Sequence, residues 1–257
     1  MPMGIGAGGD KLVVGEAPAT GTCVLRPQGL LDSSTYHRLR DAVITAAVEQ
    51  PNGVVVDVSS LSVPTASAWA VFSSAGWHIR CWPDTPLALV CHDRKCIAAL
   101  RNCGVCRHVP VYTSTLDAVA ALRTQRSDVA RRRARVDLLR GPASVHESRD
   151  LVSHWLALWN RRELTSIAQL VVTVLVENVL VHTDSAPTLR LEDTGDAVTV
   201  GVQDGAHALA TRLERADGGG EDVSGLAIVG ALCRHWGNAP MSSGKTVWAL
   251  IGRENEL

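Results

Sequence analysis

The chain has 257 residues, 46% of them hydrophobic and 20% charged. That balance excludes a disordered or fibrous protein, and the length is generous for one domain and comfortable for two. The formal net charge is −1, from 25 basic and 26 acidic residues, so no global field recruits nucleic acid or an anionic membrane.

The opening MPMGIGAGGDKLVV has no basic n-region and no apolar h-region, which argues against an ordinary secretory leader. Residues 1–15 read as a disordered N-terminus. Three short apolar runs follow, Thr22–Leu25, Val54–Val58 and Leu87–Val90, each expected to be a buried strand. Asp32-Ser33-Ser34 can cap a helix through Leu39, Val43 and Ala47. Further helices are expected over about Ser67–Ile79, Lys95–Asn102 and Leu116–Leu122, with a last strand at Val109–Tyr112. Alternating strands and helices imply an α/β layer with a partly parallel sheet, spanning 16–125.

An arginine-dense run, Arg123 to Arg140, marks a change of composition. No aromatic residue interleaves with it for base stacking, so it reads as a solvated connector, 126–133, followed by the first strand of a second domain over 134–253. Two helices are expected early there, about Ala143–Trp159 and Glu163–His182. The stretch Ile167–Val181 carries Gln169, Thr173, Glu177 and Asn178, too polar and too short for a membrane span. Strands Thr188–Leu191 and Val198–Gln203 follow, joined by Thr194-Gly195-Asp196. A Gly-rich loop leads to a helix, about Ser224–His235, and a final strand Thr246–Ile251 closes an α+β domain.

Three features of this second half carry chemistry. Val174, Asn178 and His182 share one face of an apolar helix, where an unpaired amide is costly. Strand Val198–Gln203 runs into Asp204-Gly205: the aspartate can accept from an exocyclic amine, and glycine lets a ring approach the backbone. Gly218-Gly219-Gly220, then Ser224-Gly225-Leu226, open a helix whose free N–H groups favour phosphate. In this order, with Gly244-Lys245-Thr246-Val247-Trp248, these residues resemble the boxes of the GHKL ATPase superfamily, and more narrowly the bacterial anti-sigma-factor serine kinases. The resemblance implies a Bergerat-type ATP-binding sandwich. It implies that Asn178 holds Mg²⁺ through ATP, that Asp204 binds the adenine amine supported by Thr246, and that Gly205, Gly225, Leu226 and His182 line the site. It also implies that about His207 to Ser224 forms a lid. The kinases place a glutamate base one turn before the asparagine; here that position is Val174. Glu177, the nearby carboxylate, lies about 100° around the helix. The lid's first family glycine is Val223 here.

In the first half, Val54-Val55-Val56-Asp57-Val58-Ser59-Ser60-Leu61 before a helix, with Gly29 and Asp32 upstream, resembles a STAS domain of the anti-sigma-factor antagonist type. The phosphorylated turn of that family, Asp-Ser-Ser-Gly, falls on Thr65-Ala66-Ser67-Ala68. Its acceptor position is therefore Ala66, with Ser67 next to it as the candidate acceptor and Thr65 as a second.

Seven cysteines, an odd number, do not read as a disulfide scaffold. Cys91, Cys96, Cys103 and Cys106, with His92 and His108, are read as core filler, with zinc or redox sensing as alternatives. Trp155, Trp159, Trp236 and Trp248 are expected to pack cores. The expectation is a cytoplasmic partner-switching regulator that binds ATP-Mg and docks a sigma factor or anti-sigma switch protein, with phosphotransfer impaired. The resemblance allows a homodimer and a contact in cis between the halves. The alternatives are an active serine kinase using Glu177, a nucleotide-free interaction scaffold, and a zinc- or thiol-sensing protein.

Overall fold

In the computed structural model, residues 12–19, 22–49, 52–124, 131–206 and 225–255 are described. The chain divides into two compact units, Met1–Arg126 and Ser127–Leu257.

The first unit carries β1 (Val13–Ala19), β2 (Thr22–Leu30), α1 (Tyr36–Glu49), β3 (Val54–Asp57), β4 (Leu61–Ser62), α2 (Ala70–Cys81), β5 (Leu87–Val90), α3 (Arg94–Asn102), β6 (Val111–Tyr112) and α4 (Thr115–Thr124). The sheet runs β1-β2-β3-β5-β6, with β4 paired to β2; β1 is antiparallel to β2 and the other pairings are parallel. Alternation along the strands sends Val55, Ala88 and Val90 toward Ala118 and Leu122 of α4. Leu87 points the other way, to Gly76 of α2. Gly53 has φ +143°, and a Cβ there would stand 2.9 Å from Leu122 Cδ1, so only glycine lets the chain enter β3 under α4.

Two expectations are corrected here. Residues 13–15, assigned to a disordered terminus, belong to β1. Gly15 and Pro18 hide the strand signal, and proline is tolerated because β1 lies at the sheet edge. The helix expected from Ser67 begins instead as a 3-10 turn, Ala66–Trp69, and becomes α-helical at Ala70.

The second unit carries β7 (Arg132–Asp137), α5 (Ala143–Leu158), α6 (Thr165–His182), β8 (Thr188–Asp193), β9 (Ala197–Asp204), α7 (Gly225–Leu232), β10 (His235–Met241) and β11 (Gly244–Gly252). Its sheet is antiparallel throughout, in the order β10-β11-β9-β8-β7. Arg132 and Arg133, expected in the connector, are already in β7. One sheet face, with Leu189, Leu191, Val200, Val202, Val247 and Ala249, packs against Val171, Leu175 and Val179 of α6, with Val152 and Leu156 of α5 behind them. Residues Arg162–His182 are, by length and composition alone, long and apolar enough to cross a membrane, contrary to the expectation above. In this fold the helix's apolar side is the domain core.

The expected helix to His235 ends at Leu232, and His235 opens β10. Gly237 and Pro240 mask this strand in the sequence; it too is an edge strand. Arg140 donates to the carbonyls of Leu180 and Thr183 at 3.2 and 3.0 Å, closing the C-terminus of α6. Arg161 is buried. It donates to Asp193 Oδ1 at 3.1 Å and to the Gly195 carbonyl, and so locks the turn between β8 and β9.

Candidate functional sites

In the second unit, Asp204 ends β9 and is 2% exposed. The ladder between β9 and β11 sets Asp204 opposite Lys245 and Gln203 opposite Thr246. Residues directly opposite share a sheet face, so Lys245 stands beside Asp204. Its ammonium donates to Asp204 Oδ1 at 3.0 Å and to the Ala206 carbonyl at 3.5 Å. Oδ1 also accepts from the Ala206 N–H at 2.7 Å. Asp204 Oδ2 is buried and has no hydrogen-bond partner among the described residues. A carboxylate oxygen in that state is expensive, and a ligand N–H is the kind of group that would satisfy it.

Thr246, expected to support Asp204, is placed on the opposite face. A Cβ on Gly201 would lie 3.3 Å from Thr246 Cγ2 and 3.8 Å from Trp248 Cβ. The threonine is fully buried, and its hydroxyl has no partner among the described residues either. The one-residue difference follows from the period of two along a strand. Trp248 shares that face, against Gly237, while Trp155, Trp159 and Trp236 pack on the helix-side core.

Gly205 is held by its surroundings. Its N–H donates to Ser185 Oγ at 2.9 Å, and Ser185 in turn lies 2.9 Å from Thr183 Oγ1. The end of β9 is thereby tied to the end of α6. On α6, Asn178 is half-buried, whereas Glu177 and His182 are exposed. Val174 fills the space where α7 begins: a Cβ on Gly225 would stand 2.8 Å from Val174 Cγ1. The valine at the expected base position is therefore a packing contact for the first residue of α7. Leu226 is buried in the core, so its side chain packs the fold. The expected lid, from His207 to Ser224, lies outside the described residues.

In the first unit, Ser67, Thr65 and Ala66 are all exposed on the turn that opens α2. The Ala68 N–H donates to the Thr65 carbonyl at 3.0 Å, which fixes the turn, and Thr65 makes no side-chain cap. A cleft of about 380 Å³ is lined here by Asp32, Ser33, Tyr36, His37, Thr65 and Ser67. Asp32 is the expected cap of α1: Oδ1 accepts from the Ser34 hydroxyl and N–H at 2.6 and 2.8 Å and from the Thr35 N–H at 3.2 Å. The Ser34 hydroxyl and amide hold its carboxyl below the usual carboxylate range. The cleft thus sets an ionised carboxylate near two exposed hydroxyls.

Among the described residues, no group of three or more His, Cys, Asp or Glu is arranged to hold a metal ion. Cys91 is buried at the end of β5, and Cys96, Cys103 and Cys106 are half-buried free thiols. Burial, then the neighbouring Cys91, raises the Cys96 thiol far above its ordinary value. Burial also raises Cys106. This is the character of packed thiols rather than of nucleophiles.

Residues 16–118 match the family model of the STAS domain. Over the matched residues the first unit is thus a STAS-like α/β domain. Among solved structures, the chain is similar to an anti-sigma factor antagonist from Mycobacterium paratuberculosis, with 18% identity, a TM-score of 0.39, and coverage of 44% of this chain and 96% of that one. It is similar to an anti-sigma-factor antagonist (STAS) domain protein from Planctomyces limnophilus, with 15% identity, a TM-score of 0.35, and coverage of 42% and 96%. It is also similar to the Bacillus cell fate determinant SpoIIAA in its phosphorylated form, with 16% identity, a TM-score of 0.33, and coverage of 43% and 100%. No curated protein matches the chain.

Proposed function

We propose that the protein is a cytoplasmic partner-switching regulator in which a STAS module and an ATP-binding unit of the anti-sigma kinase type are fused. The STAS match over 16–118 carries the reading, since it covers the segment that presents the exposed Thr65–Ser67 turn beside the Asp32 cleft. The turn is the docking surface for a sigma factor or an anti-sigma switch protein. In the second unit, two observations favour nucleotide binding: the orphaned Asp204 Oδ2 and the half-buried Asn178 on the helix beside α7. Asp204 would receive the adenine amine and Asn178 would hold Mg²⁺ on the phosphates. ATP bound there acts as a conformational ligand, shifting affinity for the partner only through a difference in binding between two conformers.

Phosphotransfer is impaired in this reading. Val174 offers no base, exposed Glu177 lies on another face of α6, and Ala66 has no hydroxyl. A lost general base alone removes about 10²–10⁴-fold of rate. Calorimetric titration of the full chain with Mg-ATP is expected to give saturable one-to-one binding. Incubation with Mg-ATP, followed by peptide mass spectrometry, is expected to leave Ser67 and Thr65 unmodified. Phosphate on either residue would restore the kinase reading, with Glu177 as base. Absence of binding at millimolar ATP would leave an interaction scaffold. One observation favours that second reading: Lys245 already neutralises Asp204 from within the fold.

A further inference from the structure

Lysine at 245 was unassigned by the sequence, yet it is one of only three lysines in the chain and it is 4% exposed. A buried ammonium needs a partner for each of its three N–H donors. Two are used, on Asp204 Oδ1 and on the Ala206 carbonyl. Among the described residues these are its two acceptors, which leaves one N–H to donate, beside the carboxylate whose Oδ2 likewise has no partner among them. Asp204 and Lys245 therefore present one acceptor and one donor side by side, both buried, at the end of β9. A planar heterocycle edge with an N–H next to an acceptor nitrogen or oxygen matches that couple.

Resting on the nucleotide-binding reading above, we propose that Lys245 is a base-reading residue of this site: it donates to ring nitrogen N1 of a bound adenine while Asp204 Oδ2 accepts from the N6 amine. The hydrogen-bond count selects the base. Adenine needs one acceptor and one donor on this edge. Guanine brings a second donor, its N2 amine, and the other carboxylate oxygen is already taken by Lys245 and the Ala206 N–H. Hypoxanthine matches the count with N1–H and O6, so it separates recognition of N1 as an acceptor from recognition of the edge in general.

The test is calorimetry of the full chain with Mg-ATP, Mg-ITP and the Mg complex of 1-deaza-ATP, in which a C–H replaces N1. Loss of one charge-assisted hydrogen bond is expected to weaken 1-deaza-ATP by about 10- to 100-fold relative to ATP. In K245M the two should bind alike, because the donor is gone. K245M leaves Asp204 buried without its cation, so thermal unfolding is measured beside it. Should that variant fail to fold, the comparison of the three nucleotides on the unmodified protein still decides. Equal binding of ATP and 1-deaza-ATP by the unmodified protein, a gap that persists in K245M, or tighter binding of ITP than ATP would each overturn the role of Lys245 while leaving the site a nucleotide site. Binding of no nucleotide by either protein would overturn the nucleotide reading and this inference with it.

Discussion

Gly225→Ala tests the contact that brings the start of α7 onto α6. The added methyl would sit 2.8 Å from Val174 Cγ1, well inside van der Waals contact, so one of the two helices has to move. Val174 is β-branched and stiff on α6, which is fixed on its other side by the core, so it gives way poorly. Overpacking of this kind costs about 1–3 kcal/mol. Val174→Ala removes the obstructing methyl, so the double variant V174A/G225A should recover most of the loss. The coupling between the two sites is expected at about 1 kcal/mol or more, beyond the ~0.5 kcal/mol scatter of independent sites. Hydrogen-exchange mass spectrometry reads peptides of α6 and α7 separately from the STAS unit. Each 1.4 kcal/mol appears as a tenfold loss of protection. A neutral Gly225→Ala, or a double variant equal to the sum of the singles, would refute the packing argument. It would also reopen the space in front of Val174 for a catalytic group.

Two further outcomes follow from the ion pairs Arg161–Asp193 and Arg234–Glu254. Arg161→Met strands Asp193, a carboxylate 4% exposed, without its cation; the second unit should lose about 3–5 kcal/mol in urea unfolding, while Arg161→Met with Asp193→Asn should lose much less. The Arg234 guanidinium hydrogen-bonds Glu254 and lowers its carboxyl to about 2. A folded pKa below the unfolded one means the contribution is full above the ordinary glutamate range, near 4.5, and is lost as pH falls toward 2. Acid unfolding of Glu254→Gln should show a shallower slope over that window. An unchanged slope would show the pair to be screened by solvent.

Local pattern reached far into this protein because period and caps are local properties. The β-branched run at Val54, the Asp32 cap and the apolar stretch around Val171 each declare an element within a few residues. The two absences that shape the functional reading, Val174 where a base is expected and Ala66 where an acceptor is expected, also needed no coordinates. The edge strands β1 and β10 were not legible, because Gly15, Pro18, Gly237 and Pro240 weaken the strand signal that pairing with β2 and β11 overrides. Tertiary structure alone decided which neighbour meets Asp204. Thr246 and Lys245 are adjacent in sequence, and the antiparallel register with β9 sends one to each face of the sheet. The partners of Arg140 and Arg161 were equally out of reach, since those bonds join residues 32 to 43 positions apart and exist only once the helices and sheet have docked.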